Sequence, residues 1–506
     1  MQITRLAFVL AAAVTAPAIF AATCESLSGL TLQGGAITKA EAVGAGGFTL
    51  PSVSQAQQAL LKQLPAFCRV AAVLRPSSDS EIKIEVWMPS ENWNGKFMGA
   101  GNGGWSGGIV YPSLATALQR GYAAASTNTG HDGGDATFSI GHPEKLIDFG
   151  YRAVHEMTVK GKAITEAYYS KAPERSYWNG CSSGGKQGLK EAQKFPRDYD
   201  GIAAGAPANY WTHLMIGDLW PAAATLKNPA GHLSASKLEI MHKAALQACD
   251  NLDGVKDGLI ENPMRCQFDP SVLLCKDAET EGCLTAPQVE AAKKIYDGAR
   301  NQRTGKQIFP GMPPGSELVW GALAGGPAPF NIPISHFRDV VFKNKEWDFK
   351  TLDFDKDVDL ADKLDNGLLN AIDPNLKDFF AHGGKLLIYH GWNDQLISPI
   401  NSVNYYDSVA AKMGGAAKIH DSFRLFMAPG MNHCGGGDGP SRLNPLAAIE
   451  QWVEKGKAPD QIIAEHPGAG NIVDRTRPLC PYPQIAKYKG SGSIDDAASF
   501  VCASVK

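Results

Sequence analysis

Apolar positions along the chain fall into short runs of two kinds, and the way the two kinds alternate sets the architecture. Residues 69–74 and 82–87 alternate apolar and polar side chains, the two-residue period of half-buried strands. The runs 96–100, 122–128, 175–179, 200–207, 385–389 and 423–427 are short, mostly apolar and end in Gly, Pro, Asn or His, as strands of a covered sheet do. Between them, 114–120, 149–170, 185–194 and 446–455 repeat apolar residues at helical spacing. Alternating strands and helices predict an α/β fold built on a largely parallel sheet.

Two regions depart from that rhythm. Residues 24–68 are small, polar and Gly-rich with one short helical stretch at 55–62, and read as an N-terminal clamp. From about 210 to 372 strands are scarce, Pro and Gly are frequent, and Trp211, Trp220, Trp320, Phe330, Phe337 and Trp347 recur, which reads as an inserted lid domain. The expected organisation is therefore a signal peptide at 1–22, a first core segment at 23–209, the lid at 210–372 and a second core segment at 373–506. The signal reading rests on Arg5, the apolar stretch 6–20 and the small pair Ala21-Ala22. It implies a secreted or periplasmic protein.

Composition narrows the function class. A net charge of −3, with no basic block or acidic tail, gives no electrostatic reason to expect nucleic acid or a membrane surface as partner. Ten cysteines in an exported chain suggest disulfides. Spacing pairs Cys24 with Cys68, Cys249 with Cys266, Cys275 with Cys283 and Cys480 with Cys502, leaving Cys181 and Cys434; free buried thiols are the other reading.

The candidate chemistry lies where strands end. Gly180-Cys181-Ser182-Ser183-Gly184 has the form G-x-S-x-G between a strand-like and a helix-like run, the setting that lifts a serine hydroxyl out of a sheet. Asp394 follows the 385–389 strand and His433 follows the 423–427 strand. Loops at the carboxyl ends of parallel strands are where catalysis sits on an open sheet. Ser182 would be the nucleophile, His433 its base and Asp394 the group that orients the imidazole. The Gly-rich stretch 101–108 after an early strand would lend one oxyanion N–H, from Gly103 or Gly104, and Ser183 the other. Each of these residues taken alone has an ordinary explanation, as a turn, a capping carboxylate or a packed histidine. If the three meet, Cys181 and Cys434 lie close enough to be bridged.

The motif Gly180-Cys181-Ser182-Ser183-Gly184-Gly185-Lys186-Gln187, the distal Asp394 and the pair His433-Cys434 resemble the tannase and feruloyl esterase family over nearly the whole mature chain. The resemblance implies an α/β-hydrolase core with an inserted lid and five disulfides, one of them joining the neighbours of the triad. It implies a serine carboxylesterase acting on feruloyl or related hydroxycinnamoyl esters, with galloyl esters or mono(2-hydroxyethyl) terephthalate as alternatives. The expected partner is thus a small aromatic ester or a phenolic ester on a plant polymer. It also implies a structural calcium ion in the lid, held by the carboxylates of Asp250, Asp253 and Asp257 and the carbonyls of Val255 and Leu259, and no organic cofactor. His390 is read as facing the acyl pocket, with a packed core histidine as the alternative. Arg338 is read as a surface side chain or a partner for substrate. A non-catalytic secreted binding protein and a peptidase are the readings from other classes.

Overall fold

The computed structural model describes residues 22–51 and 53–504. The expected signal peptide, save for its last residue, lies outside them. The strands β1 (Gly35–Val43), β2 (Phe67–Leu74), β3 (Ile82–Pro89), β4 (Lys96–Ala100), β5 (Ala123–Thr127), β6 (Arg175–Cys181) and β7 (Gly201–Gly205) come first. After a small ribbon of β8 (Ala299–Arg300) and β9 (Gln307–Phe309), β10 (Lys385–Gly391) and β11 (Phe423–Ala428) complete the main sheet. Its nine strands run in the order β1-β2-β3-β5-β4-β6-β7-β10-β11. β1, β2, β3 and β5 pair antiparallel, whereas β5, β4, β6, β7, β10 and β11 form a continuous parallel block.

Strand alternation builds a core on each face. Ala123, Ala125, Trp178, Ile202, Leu386 and Ile388 pack on one side, while Ala124, Tyr177, Ala203, Leu387 and Tyr389 pack on the other. Small residues let helices settle close to the sheet: a Cβ on Gly161 of the helix Ala153–Tyr169 would stand 3.0 Å from the Phe97 ring. The chain places β5 on one flank of β4 and β6 on the other, so the order reverses at β4 and opens a crevice beyond the strand ends.

Between β7 and β10 the chain leaves the sheet for the helices Trp211–Thr225, Ala235–Cys249, Ala286–Asp297 and Lys356–Asp365 and the loops that join them. This insertion has an apolar cluster of its own around Leu238, Met241, Ile295 and Trp320. A second cluster, with Trp105, Phe149, Trp211 and Phe337, spans insertion and sheet. The bonds Cys249–Cys266 and Cys275–Cys283 staple its loops. The chain ends in two hairpins, β12 (Ile462–Pro467) with β13 (Val473–Leu479) and β14 (Gln484–Tyr488) with β15 (Phe500–Ser504). No helix among the described residues is long and apolar enough to cross a membrane.

Candidate active site

Ser182 stands at the turn between β6 and the helix Ser183–Lys194 with φ 64° and ψ −122°, a conformation costly for a residue bearing a side chain. Its neighbours explain how the turn closes. A Cβ on Gly180 would come within 2.7 Å of the Gly184 backbone, and one on Gly185 within 2.4 Å of the Gly205 carbonyl. Only glycine lets strand and helix approach this closely. Trp178 Nε1 donates to the Gly184 carbonyl (2.9 Å) and braces the turn from below.

The Gly-rich loop after β4 is held against the same turn. Ser183 Oγ donates to the Gly104 carbonyl (2.9 Å), the Asn102 amide N–H donates to Gln187 Oε1 (3.0 Å), and Asn102 Nδ2 donates to the carbonyls of Gly108 and Thr127 (both 2.9 Å). Gly104, with φ +49°, lines a cavity together with Ser182 and Ser183, whereas Gly103 is not part of that lining. At the start of a helix the amide N–H groups lack intrahelical acceptors, so an anion at this spot meets unpaired donors.

Asp394 is fully buried just beyond β10. Its Oδ1 accepts the amide N–H groups of Leu396 (2.8 Å) and Ile397 (2.9 Å), and its Oδ2 meets His433 Nδ1 at 2.7 Å. Burial by itself would raise the Asp394 carboxyl, but the His433 charge and the imidazole hydrogen bonds hold it well below the usual carboxylate range. Asp394 therefore stays ionised and directs the other imidazole nitrogen, Nε2, away from itself. The His433 amide N–H donates to Gln395 Oε1 (3.0 Å), which fixes the loop that carries the ring. The Cys181–Cys434 bond ties the residue before Ser182 to the residue after His433, with Cα atoms 6.0 Å apart. Among the described residues Ser182 Oγ forms no hydrogen bond to the imidazole. Contacts of this kind tighten when substrate engages.

His390 departs from the expectation placed on it. It does not face the acyl pocket: it is fully buried, with Nε2 3.0 Å from Asp394 Oδ2 and 3.1 Å from the Ile397 carbonyl, and with Nδ1 2.8 Å from Ser402 Oγ. Two acceptors at Nε2 require the proton there, so the Ser402 hydroxyl donates to Nδ1 and His390 is a second donor behind the carboxylate. Its place follows from alternation in β10, which puts it on the side of Leu386 and Ile388. Arg338 forms a two-pronged pair with Asp339 (2.8 and 2.7 Å) and does not line the cavity at Ser182.

That cavity runs under the insertion, lined by Trp211, Leu214, Met215, Phe330, Ile332 and Leu396. One polar side chain stands out among these apolar ones. Asp218 is 4% exposed and has no hydrogen-bond partner among the described residues. Burial, with the Asp394 charge added to it, pushes its carboxyl well above the usual range, so it is held as the neutral acid. Pattern reading missed Asp218, although a lone carboxyl within the apolar stretch of the helix Trp211–Thr225 is a signal.

In the loop 250–259, where the resemblance implies calcium, the three aspartates accept hydrogen bonds from the loop's own backbone. Asp250 accepts the amide N–H groups of Asp257 and Gly258 (both 3.1 Å), Asp253 that of Val255 (3.1 Å) and Asp257 that of Leu259 (3.2 Å). The Asp257 and Arg477 side chains, each 1% exposed, form an ion pair. The three carboxylates do not converge within 4.8 Å of one another. Asp253 and the Asp257 side chain nonetheless lie buried beside Arg477, with Arg475 reaching only the Asp257 carbonyl and burial pushing Glu261 up to about 8, and the aspartate carboxylates and loop carbonyls are donors that fit a hard cation.

All ten cysteines are paired, and besides Cys181–Cys434 the bonds are the four that spacing suggests: Cys24–Cys68, Cys249–Cys266, Cys275–Cys283 and Cys480–Cys502.

Comparison with known proteins places this geometry in context. A family model described as tannase and feruloyl esterase matches residues 68–503. An uncharacterized esterase of Xanthomonas campestris pv. campestris is 39% identical over 531 residues, covering 95% of this chain and 91% of that protein. A probable feruloyl esterase B-1 of Aspergillus flavus is 38% identical over 457 residues, covering 86% of each. The crystal structure of feruloyl esterase B from Aspergillus oryzae superposes with a TM-score of 0.87 at 34% identity, covering 95% of this chain and 99% of that one. The sheet and its insertion thus form an α/β-hydrolase fold.

Proposed function

Since the chain belongs to the tannase and feruloyl esterase family of carboxylic-ester hydrolases, we propose that it cleaves feruloyl-type esters of phenolic acids through an acyl-enzyme on Ser182. His433 takes the seryl proton as Ser182 attacks the ester carbonyl, and Asp394 stabilises the imidazolium. The amide N–H groups of Ser183 and of Gly104 in the adjoining loop receive the oxyanion. His433 then protonates the leaving alcohol, and water, activated by the same imidazole, releases the acid.

The observation that carries the choice of acyl group is the cavity beside Ser182. The aromatic and aliphatic side chains lining it would pack on a flat ring once substrate widens the space, and Asp218, a buried acid with no protein partner, would meet a ring hydroxyl. A plain aliphatic acyl chain would leave that carboxyl unpaired. Galloyl esters share the same chemistry and stand as the second reading, supported by the family description.

We also propose that calcium occupies the 250–259 loop in a structural role, and that the protein works outside the cytoplasm. Five disulfides with no free cysteine among the described residues suit an oxidising compartment.

Product analysis on methyl ferulate, methyl gallate and mono(2-hydroxyethyl) terephthalate tests the assignment. Ferulate is expected to turn over fastest, and Ser182→Ala to lose about 10⁴-fold or more in kcat. Preference for gallate would select the second reading. Wild-type protein inert on every ester, and unlabelled by a fluorophosphonate, would leave a binding protein.

A further inference from the structure

Away from the ester site, one group of side chains has a charge arrangement that the ester chemistry does not use. His155 opens the first turn of the helix Ala153–Tyr169, Glu191 lies near the end of the helix Ser183–Lys194, and Asp198 is in the loop leading to β7. One ligand atom from each of the three lies within 4.8 Å of the other two. His155 Nδ1 is 2.6 Å from Asp198 Oδ2, and its ring stacks on Phe195 with centroids 3.8 Å apart. Glu191 is 1% exposed, and neither of its carboxylate oxygens has a hydrogen-bond partner.

Asp198 already pairs with His155, but the buried Glu191 carboxylate that faces it has no donor, so a proton or a cation must stand beside Glu191. The nearby ammonium does not fill that place: Lys162 Nζ donates to the Asp198 backbone carbonyl, not to either carboxylate. We propose that His155, Glu191 and Asp198 form a binding site for a divalent transition-metal ion of the Zn²⁺ or Mn²⁺ type. One imidazole nitrogen with two carboxylate oxygens is a donor set for such ions, whereas calcium takes oxygen alone. Zinc bonds of about 2.0–2.2 Å put donor atoms roughly 3–4 Å apart, so the ion would replace the 2.6 Å hydrogen bond between His155 Nδ1 and Asp198 Oδ2 and widen that pair slightly, with Glu191 already within 4.8 Å of both. The His155 and Asp198 side chains retain 28% and 15% of their exposure, which leaves an entry route and room for water as a further ligand. Glu191 lies nine residues beyond Ser182, about 13 Å along the helix. The ion's role is to fasten the nucleophile helix to its neighbour and to the β7 loop.

The test uses full-length mature protein, stripped with chelator and dialysed against ZnCl₂ or MnCl₂, with bound metal counted by mass spectrometry. Wild type is expected to hold one equivalent of Zn²⁺ with micromolar or tighter affinity, and Glu191→Gln and His155→Gln each to bind it at least 30-fold more weakly. Asp250→Asn, in the other candidate loop, should keep that equivalent. Hydrolysis of p-nitrophenyl butyrate by both variants verifies that they fold, and visible bands of a Co²⁺ complex in wild type give a second readout that needs no variant. Zinc stoichiometry and affinity unchanged in both variants, or no cobalt bands and no retained metal in wild type, would overturn the proposal. The latter result would assign a shared proton to Glu191 and Asp198.

Discussion

At the scale of single residues the site is organised by burial of charge. On the proposed function, Asp218 is the group most directly tied to substrate choice. A cavity built to pair a hydroxyl discriminates strongly against an analogue that lacks it, because its own polar group is then left unpaired. Asp218→Leu is expected to lower kcat/KM for methyl ferulate by about 10–100-fold while leaving methyl cinnamate, with no ring hydroxyl, within about threefold. Equal losses on both esters would make Asp218 structural. Lys186, four residues past Ser182, is a second buried titratable group. It is fully buried without a hydrogen bond, its ammonium 4.5 Å from the Phe149 ring centre and 4.4 Å from that of Trp211. Burial, with the nearby Lys190 charge added, lowers its pKa to about 7. Between that value and the ordinary lysine value of about 10.4 the unfolded chain carries a proton that the folded chain does not, so this group makes stability rise with pH across that window. Lys186→Met should therefore raise Tm at pH 7 and narrow its advantage toward pH 10, as differential scanning calorimetry would record. The triad positions were legible because each follows a run of recognisable strand. The role of His390 was not, because position in sequence says that a histidine follows a strand but not which face it takes until the two-residue period is carried through to it.

At the scale of elements, the Cys181–Cys434 bond joins the end of β6 to the loop that follows β11. The bridged residues are 253 apart in sequence, and chain-entropy reasoning gives such a closure on the order of 5 kcal/mol. Position matters more than that figure, because the strained Ser182 turn and the His433 loop must keep their separation to within a fraction of an ångström for proton transfer. The double variant Cys181→Ser, Cys434→Ser is expected to lose about 10–100-fold in kcat with KM within about threefold, and to melt several degrees lower. A fall in Tm with kcat unchanged would reduce the bond to a simple staple. Helices and strands of the parallel block were readable because burial on both faces leaves largely apolar runs, as in Ala123–Ala125 and Leu425–Ala428. β1 escaped notice because it is an edge strand with no fully buried position and little beyond Ala, Ile37 and Val43 to mark an inner face. The terminal hairpins escaped for the same reason. Each buries only a few apolar residues, Ile462, Ala464 and Leu479 in one and Ala486 and Phe500 in the other, too few to set a readable period beside the backbone bonds and the Cys480–Cys502 bridge.

At the scale of the whole molecule, the 250–259 loop is a joint between the insertion and the C-terminal hairpins. Asp257 pairs with Arg477 of β13, its carbonyl accepts from Arg475 (3.2 Å), and the Ala486 amide of β14 donates to Glu261 Oε1 (2.9 Å). Val255 packs with Cys480, Ala486 and Phe500, and Arg477 lies 3.8 Å over the Phe500 ring. None of this could be read from the sequence, since partners more than 200 positions apart leave no local period. A cation at this joint would draw Asp250, Asp253 and Asp257 together, lowering the free energy of the folded chain by binding it alone. EGTA is therefore expected to lower Tm by several degrees, with recovery on excess Ca²⁺ but not on Mg²⁺, whose tighter octahedral demand this loop suits less well. Asp250→Asn should abolish the response without breaking the Asp257–Arg477 pair. Limited proteolysis separates a local effect from a global one: removal of the ion should speed cleavage near residue 254 and around the hairpins before the sheet is touched. If EGTA leaves both Tm and cleavage unchanged, the three aspartates are turn-capping groups, and the joint is held by Arg477, the apolar contacts and the Cys249–Cys266 bond alone.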